Sequence, residues 1–334
     1  MSKEWIIGKT LDELEEIVSN FGFEVRYARE LSVSIYKRRC TSFSEINSLP
    51  IALRKALDAL FSLEPMKTQS IQQSTDGTKK YLFKTAKGNP FETAYMPSEK
   101  RNTLCISTQS GCRMSCAFCF TAKLGFNENL SAGEIVSQYL SITEYSAVNK
   151  IVLMGMGEPL DNPREVTKAL RILTANWGMA LGAANLTLST VGILPKLMEI
   201  ADMNLCNFAI SLHNPFPSER SEIAPAEIEN PILKIVEFFR GNPLKKRLRL
   251  SFEYVVIPGQ NDTEKHAIET VNLLKSLSCH VNVIALNSKT EAKQNEIAAR
   301  TFQKLLNAKG LSATFRVSRG NDIDAACGMM AGKS

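Results

Sequence analysis

From about residue 103 onward the chain repeats one pattern, a short apolar run followed by a helical stretch, and this alternation limits the fold more than any other feature. The runs are "LCIST", "KIVLMGMG", "NLTLSTVG", "CNFAISLH", "LSFEYVVIPG" and "VNVIALN". Between them lie stretches such as "AGEIVSQYLSITEYS", "PREVTKALRILTA", "EKHAIETVNLLKSL" and "IAARTFQKLLNA", whose apolar residues recur at helical spacing. Six such units imply a parallel sheet covered by helices. Several runs end in glycine or polar residues (Gly157, Glu158, Ser189, Ser211, His213, Asn287), which suits a barrel-like sheet with its site at the C-terminal ends of the strands. A doubly wound sheet is the competing architecture. No GxGxxG follows the first strand, so a dinucleotide site lacks its fingerprint.

The first hundred residues have another texture. "TLDELEEIVSNFG" predicts an amphipathic helix entered through Thr10, and "SFSEINSLPIALRKALDALF" predicts a helix, a proline-marked turn and a second helix. "KKYLFKTAKGNPFETAYMP" alternates apolar and polar residues on both sides of "AKGN", a β-hairpin signal. The expected organisation is a helical accessory module over 1–65, a hairpin segment over 66–102 and an α/β core over 103–334.

With 334 residues and 44% hydrophobic content the chain can bury a core without staples. No run of 18 apolar residues is present and the N-terminus is charged, so neither a membrane span nor a secretory leader is readable, and the expected compartment is the cytoplasm. In a reducing compartment eight cysteines point to metal binding or catalysis rather than a disulfide framework. The net charge of +6 is compatible with a polyanionic partner without requiring one. Basic runs at 36–40, 98–101 and 242–250 could track phosphates or simply face water.

Three of the cysteines fall within "GCRMSCAFCF", as Cys112, Cys116 and Cys119. A structural zinc site wants four ligands, usually as two close pairs, and no second pair follows, although Cys105 or His213 could serve as a fourth. Four-cysteine ferredoxin spacing is absent as well. Three thiolates at these spacings can instead wrap one face of an iron–sulfur cube and leave its fourth iron without a protein ligand.

With Phe118 just before the last cysteine, CxxxCxxC resembles the radical S-adenosylmethionine (SAM) signature. "MGMGEPLDNP" (154–163), "LSTVGILP" (188–195), "ISLHNPFPSER" (210–220), "FEYVVIPGQND" (252–262) and "RGNDIDAACG" (319–328) extend the likeness over nearly the whole chain. Together they resemble the RlmN/Cfr family of radical SAM rRNA adenine methyltransferases, closest to the C2-methylating RlmN branch. The resemblance implies a partial (β/α)6 TIM-like barrel with an N-terminal RNA-binding module. It also implies a 4Fe–4S cluster on Cys112, Cys116 and Cys119, with two SAM molecules used per turnover. SAM would chelate the open iron and be lined by Gly157, Glu158, Ser189, Ser211, Leu212, His213 and Asn287.

By the same resemblance Cys327 takes a methyl group from one SAM, and a radical made from a second activates that group toward an adenine ring carbon. Cys105 then resolves the protein–RNA adduct through a transient disulfide. Glu92 matches the family's proton acceptor, and it could equally be an exposed hairpin carboxylate. The implied partners are 23S rRNA, certain tRNAs and a flavodoxin-type electron donor, with no membrane and a monomeric protein. Phe120 stands where many relatives have a small residue, and Ala224 lacks the usual "PIN"-like continuation. These departures bear on RNA selection and keep open a C8-methylating enzyme or a paralogue with another RNA target. The alternative from a different class is a zinc-dependent RNA-binding module without catalysis. Cys40, Cys206 and Cys279 match no motif and read as packing residues.

Overall fold

The computed structural model describes residues 3–99, 101–288, 290–330 and 332, so Lys100 of the 98–101 basic run lies outside the described residues. Ten strands form one sheet among them: β1 (Ser70–Gln73), β2 (Lys79–Lys84), β3 (Pro90–Met96), β4 (Thr103–Cys105), β5 (Lys150–Leu153), β6 (Leu186–Thr190), β7 (Asn207–Ser211), β8 (Leu250–Val256), β9 (Cys279–Ala285) and β10 (Ala313–Arg316). Their spatial order is their chain order. A doubly wound sheet reverses direction at a switch point; this one never does, and it is a partial barrel.

From β4 to β10 every neighbouring pair is parallel, and a helical crossover separates each strand from the next. The covering helices run over Ala132–Leu140, Pro163–Thr174, Leu194–Met203, Ile232–Gly241, Glu264–Leu274 and Ala292–Ala308. The six apolar runs are therefore six strand–helix units, and a seventh parallel strand, β10, follows them. Its sequence "ATFR" sits at the sheet edge with alternate residues exposed, so it carries no apolar run to betray it. Leu104, Ile151, Leu188, Phe208, Phe252 and Val281 from the strands join Ile135, Leu170 and Phe302 from the helices in one buried core. No helix among the described residues is long and apolar enough to cross a membrane.

The hairpin is part of this sheet: β3 pairs antiparallel with both β2 and β4. Ahead of it, Thr10 caps Leu11–Asn20 in a capping box with Glu13, and helices Arg26–Tyr36 and Ile51–Leu60 follow. The expected helix before Pro50 is only a single turn of tighter helix, Phe43–Glu45, because its neighbours up to Pro50 turn instead. The helical region packs directly on the barrel. Gly8, at φ +97°, lies so close to Gly133 that a Cβ would stand 2.3 Å from the Gly133 nitrogen.

The chain after β10 has almost no regular structure, and side chains from elsewhere hold it. The turn between β1 and β2 presents Asp76, whose Oδ2 accepts from Arg319 Nε at 2.8 Å and from the Gly320 N–H at 3.0 Å. Asp322 in turn accepts from Ser74 Oγ at 2.6 Å and the Thr75 N–H at 3.1 Å. Against the desolvation that would raise it, hydrogen bonds from Thr78, Gly320 and Arg319 hold the Asp76 carboxyl well below the usual carboxylate range. The first and last strands of an open sheet are thus fastened to each other by charge.

Substituting Asp76→Asn should free this tail, with amide protection over 319–330 falling by roughly tenfold in hydrogen-exchange mass spectrometry. Because the folded-state pKa is depressed, the Asp76 contribution is present at neutral pH and lost as the pH falls below about 4, so acid should reproduce the effect in the unmodified protein. An unchanged exchange pattern in the variant would show that the tail is held by other contacts.

Candidate active site

The parallel strands all end on one side, and the residues of interest gather there. Cys105 is the last residue of β4, Glu158 follows β5, Ser189 is next to last in β6, Ser211 ends β7 and Asn287 lies two residues beyond β9. Above them runs the loop with Cys112, Cys116 and Cys119. Its backbone is pinned by Cys112 N–H to Gly125 O (2.9 Å), Ala117 N–H to Ile223 O (2.9 Å) and Phe120 N–H to Gly328 O (2.7 Å).

Burial pushes the Cys112 and Cys116 thiols up to about 12, and each is raised further by the charges of neighbouring triplet cysteines and of Glu158. The Cys112 and Cys116 thiols, raised in this way, need a compensating cation before they can ionise together. Three cysteines on one loop pinned at Cys112, Ala117 and Phe120 supply three sulfur donors, the number that a cube of iron and sulfide with one open iron would take.

Arg220 is fully buried, and the sequence reading missed it. Its Nη1 pairs with Glu227, its Nε donates to Leu212 O at 2.9 Å, and its Nη2 donates to Ser211 O at 2.6 Å and Val191 O at 3.3 Å. One guanidinium therefore ties the ends of β6 and β7 together and lowers the Cys116 thiol electrostatically. Val191 also donates its N–H to Glu158 Oε2 at 3.0 Å, so the brace continues into the β5 loop.

Glu158 is buried, and its Oε1 accepts from the Leu160 N–H (2.9 Å) and Thr190 Oγ1 (2.6 Å). Burial raises its carboxyl to about 7 despite these bonds. Oε2 carries only the Val191 bond and keeps a lone pair for a ligand's ammonium group. Gly157, at φ +99°, is packed against Gln109, where a Cβ would meet the Gln109 Cβ at 2.5 Å. Gln109 Oε1 accepts the Glu158 N–H at 2.8 Å, which fixes the loop at this height.

His213 is buried at φ +57°, with its Nδ1 accepting from the Val255 N–H at 3.1 Å and its ring 4.7 Å from that of Phe118. Burial, then the Arg220 charge, lowers it to about 3, so it is a neutral imidazole with its proton on Nε2. The hydroxyls of Ser189 and Ser211 make no side-chain hydrogen bond to the protein among the described residues and remain available at the mouth. The Leu212 side chain is buried, and this residue contributes its backbone.

Cys105 and Cys327 are brought together although 222 positions part them in the chain. Cys105 is buried and raised by desolvation and then by the Cys327 charge. Cys327 is exposed within the concave mouth, whose walls desolvate and raise its thiol; Glu253 raises it further and Arg316 opposes. Asn287 Nδ2 donates to Cys327 O at 2.7 Å and Thr121 Oγ1 to Met330 O at 2.7 Å, which seats the tail across the mouth. Glu92 is fully buried rather than an exposed hairpin carboxylate, and it pairs with Lys80 Nζ at 3.0 Å. The register β3 to β4 puts Ala94 opposite Cys105, so Glu92, two residues away, shares the Cys105 face of the sheet.

Removing Arg220 would strand the buried Glu227 charge. Arg220→Ala should cost about 3–5 kcal/mol in anaerobic denaturant unfolding, with Glu227→Gln in the same background recovering part of the loss. A cost below about 1 kcal/mol would contradict the brace.

The fold and site can now be set beside known proteins. Residues 106–271 match the radical SAM superfamily model. A probable dual-specificity RNA methyltransferase RlmN of Parabacteroides distasonis is 38% identical over 333 residues, covering 99% of this chain and 97% of its own. The dual-specificity RNA methyltransferase RlmN of Syntrophus aciditrophicus is 37% identical, covering 97% of this chain and 95% of its own. A crystal structure of a radical SAM methyltransferase from Sphaerobacter thermophilus superposes with TM-score 0.89 at 34% identity, over 99% of this chain and 100% of that one. The chain belongs to the RlmN family of radical SAM RNA methyltransferases.

Proposed function

We propose that this enzyme methylates C2 of an adenosine in 23S rRNA, and in certain tRNAs, using Cys327 as methyl carrier and Cys105 as resolving thiol, in keeping with relatives named dual-specificity RNA methyltransferases. What supports the reading is that Cys105, at the C-terminal end of its strand, lies near enough to Cys327 for the Cys327 charge to raise its thiol, while the residue after Cys327 is hydrogen-bonded to the loop of the cysteine triplet.

Cys112, Cys116 and Cys119 would hold the 4Fe–4S cluster, with Glu158, Ser189, Ser211, Leu212, His213 and Asn287 around SAM and Gly157 shaping the loop. Together the reduced cluster and SAM supply a 5′-deoxyadenosyl radical. Cys327, once deprotonated, would first attack the methyl carbon of one SAM through its sulfur, S-adenosylhomocysteine leaving with the electron pair of the broken bond, and become S-methylcysteine. That methyl group would then give up a hydrogen atom to the adenosyl radical, its carbon would bond to adenine C2, and the unpaired electron of the adduct would return to the cluster before the C2 proton is lost. Glu92, a buried carboxylate on the Cys105 face, is placed to receive the C2 proton. Cys105 attacks the Cys327 sulfur: an S–S bond forms, the bond from sulfur to the methylene carbon breaks, and its electron pair stays with the carbon, which takes a proton to become the product methyl group.

Neutral His213 adds no positive charge beside a cationic sulfonium. The region before residue 66 and the basic runs would carry RNA backbone. The electron donor is of flavodoxin type and the enzyme acts as a monomer in the cytoplasm. The C2 assignment rests on the likeness to RlmN relatives.

With methyl-labelled SAM and RNA under anaerobic reduction, label should appear on Cys327 and on 2-methyladenosine in digested RNA. Cys327→Ala should abolish both signals, and Cys105→Ala should accumulate a covalent protein–RNA species. Label on C8, or free methylated RNA at an undiminished rate from Cys105→Ala, would refute the respective assignment.

A further inference from the structure

The short helix Phe120–Lys123 that follows the last cluster cysteine is locked to the tail at both its first residues. The Phe120 N–H donates to Gly328 O and Thr121 Oγ1 to Met330 O. Phe120 therefore stands one residue from Cys119 on one side and touches the neighbour of Cys327 on the other. Its ring nevertheless faces outward, with 45% of the residue exposed. Lys123 Nζ lies 4.9 Å from the ring centroid and has no ion-pair partner among the described residues. Leu124 and Val317, also at the mouth, are exposed large apolar residues as well.

A lone exposed phenylalanine needs no explanation on an ordinary surface. At the rim of a site that must receive one base of a folded RNA it has one, because bases unstacked from RNA are commonly taken up on aromatic faces. We propose that Phe120 is a stacking platform for the nucleobase next to the target adenosine, with Lys123 taking the adjoining phosphate. With the cation against one face, the ring offers the other to the base. The occupant is a nucleotide because the platform combines an aromatic face, an unpaired cation and continuity with the cysteine that must reach the adjacent ring. Phe120 is a specificity-determining residue under this assignment: stacking holds the splayed strand so that the target base falls over Cys327.

This inference rests on the RNA methyltransferase reading, and the test separates the two. An RNA stem-loop containing the target adenosine is compared with versions in which either flanking nucleotide is abasic, using anaerobically reconstituted enzyme and its Phe120→Leu and Phe120→Trp variants. Phe120→Leu should weaken RNA binding and raise KM about tenfold, with the salt dependence of binding unchanged, and Phe120→Trp should restore both. One abasic RNA should cost the unmodified enzyme a similar factor and the Phe120→Leu variant little more. Lys123→Gln should lower the slope of log affinity against log salt by about one phosphate contact. Equal affinities for Phe120→Leu and the unmodified enzyme, or abasic penalties that simply multiply with the substitution, would overturn the proposal alone. An unmodified enzyme that labels Cys327 but methylates no RNA overturns the functional reading and this one with it.

Discussion

Cys327 belongs to a stretch of chain with little hydrogen-bonded structure of its own, so its position is decided by bonds to three other regions. Asp76 and Asp322 fasten the tail to the β1–β2 turn, Asn287 fastens it beyond β9, and the Phe120 N–H and Thr121 hydroxyl fasten it to the cluster loop. The contacts are few and polar, yet together they put one sulfur beneath a loop more than 200 residues away. The reaction asks for that sulfur to meet SAM, an adenine and a second thiol in turn. Bonds of this kind suit such a sequence of partners, since a tail can shift slightly where a strand cannot.

Under the cluster loop the decisive element is a charge without water. Arg220 directs four hydrogen bonds to the ends of β6 and β7 and to Glu227, and the strand ends it joins are those that bear Ser189, Ser211 and His213. Val191 passes the same constraint on to Glu158 through its two backbone groups. A polar frame of this sort is costly to assemble and stiff once satisfied, which is what a site needs when it must bind the same cofactor for two different reactions.

The helices and the first six parallel strands were legible because each has a long apolar or amphipathic signature, and the cysteine triplet because its spacing is local. β10 was not, since an edge strand of four residues with one wet side resembles a loop. The helix expected at 43–50 proved to be one turn, where Ser42 capping and the approach to Pro50 overrule propensity. Among site residues, Glu92 could be read as the family's proton acceptor or as an exposed hairpin carboxylate, because burial of a β-strand's charged side chain depends on what covers the sheet. Arg220 gave no signal at all: arginine is ordinarily a surface residue, and only the fold shows that four acceptors converge on it. The pairing of Cys105 with Cys327 is likewise invisible to spacing, and the family resemblance alone anticipated it.

Among the described residues the sheet does not close on itself; β1 and β10 remain edges, bridged where Arg319 and Asp322 reach the 74–78 turn. A sealed cylinder can be entered only from its rim, by something that ends or projects there. A wall with a missing panel offers sideways access, so a polynucleotide continuing in both directions can lay one unit inside without being threaded. The segment that bears Cys327 is also the strap across that missing panel.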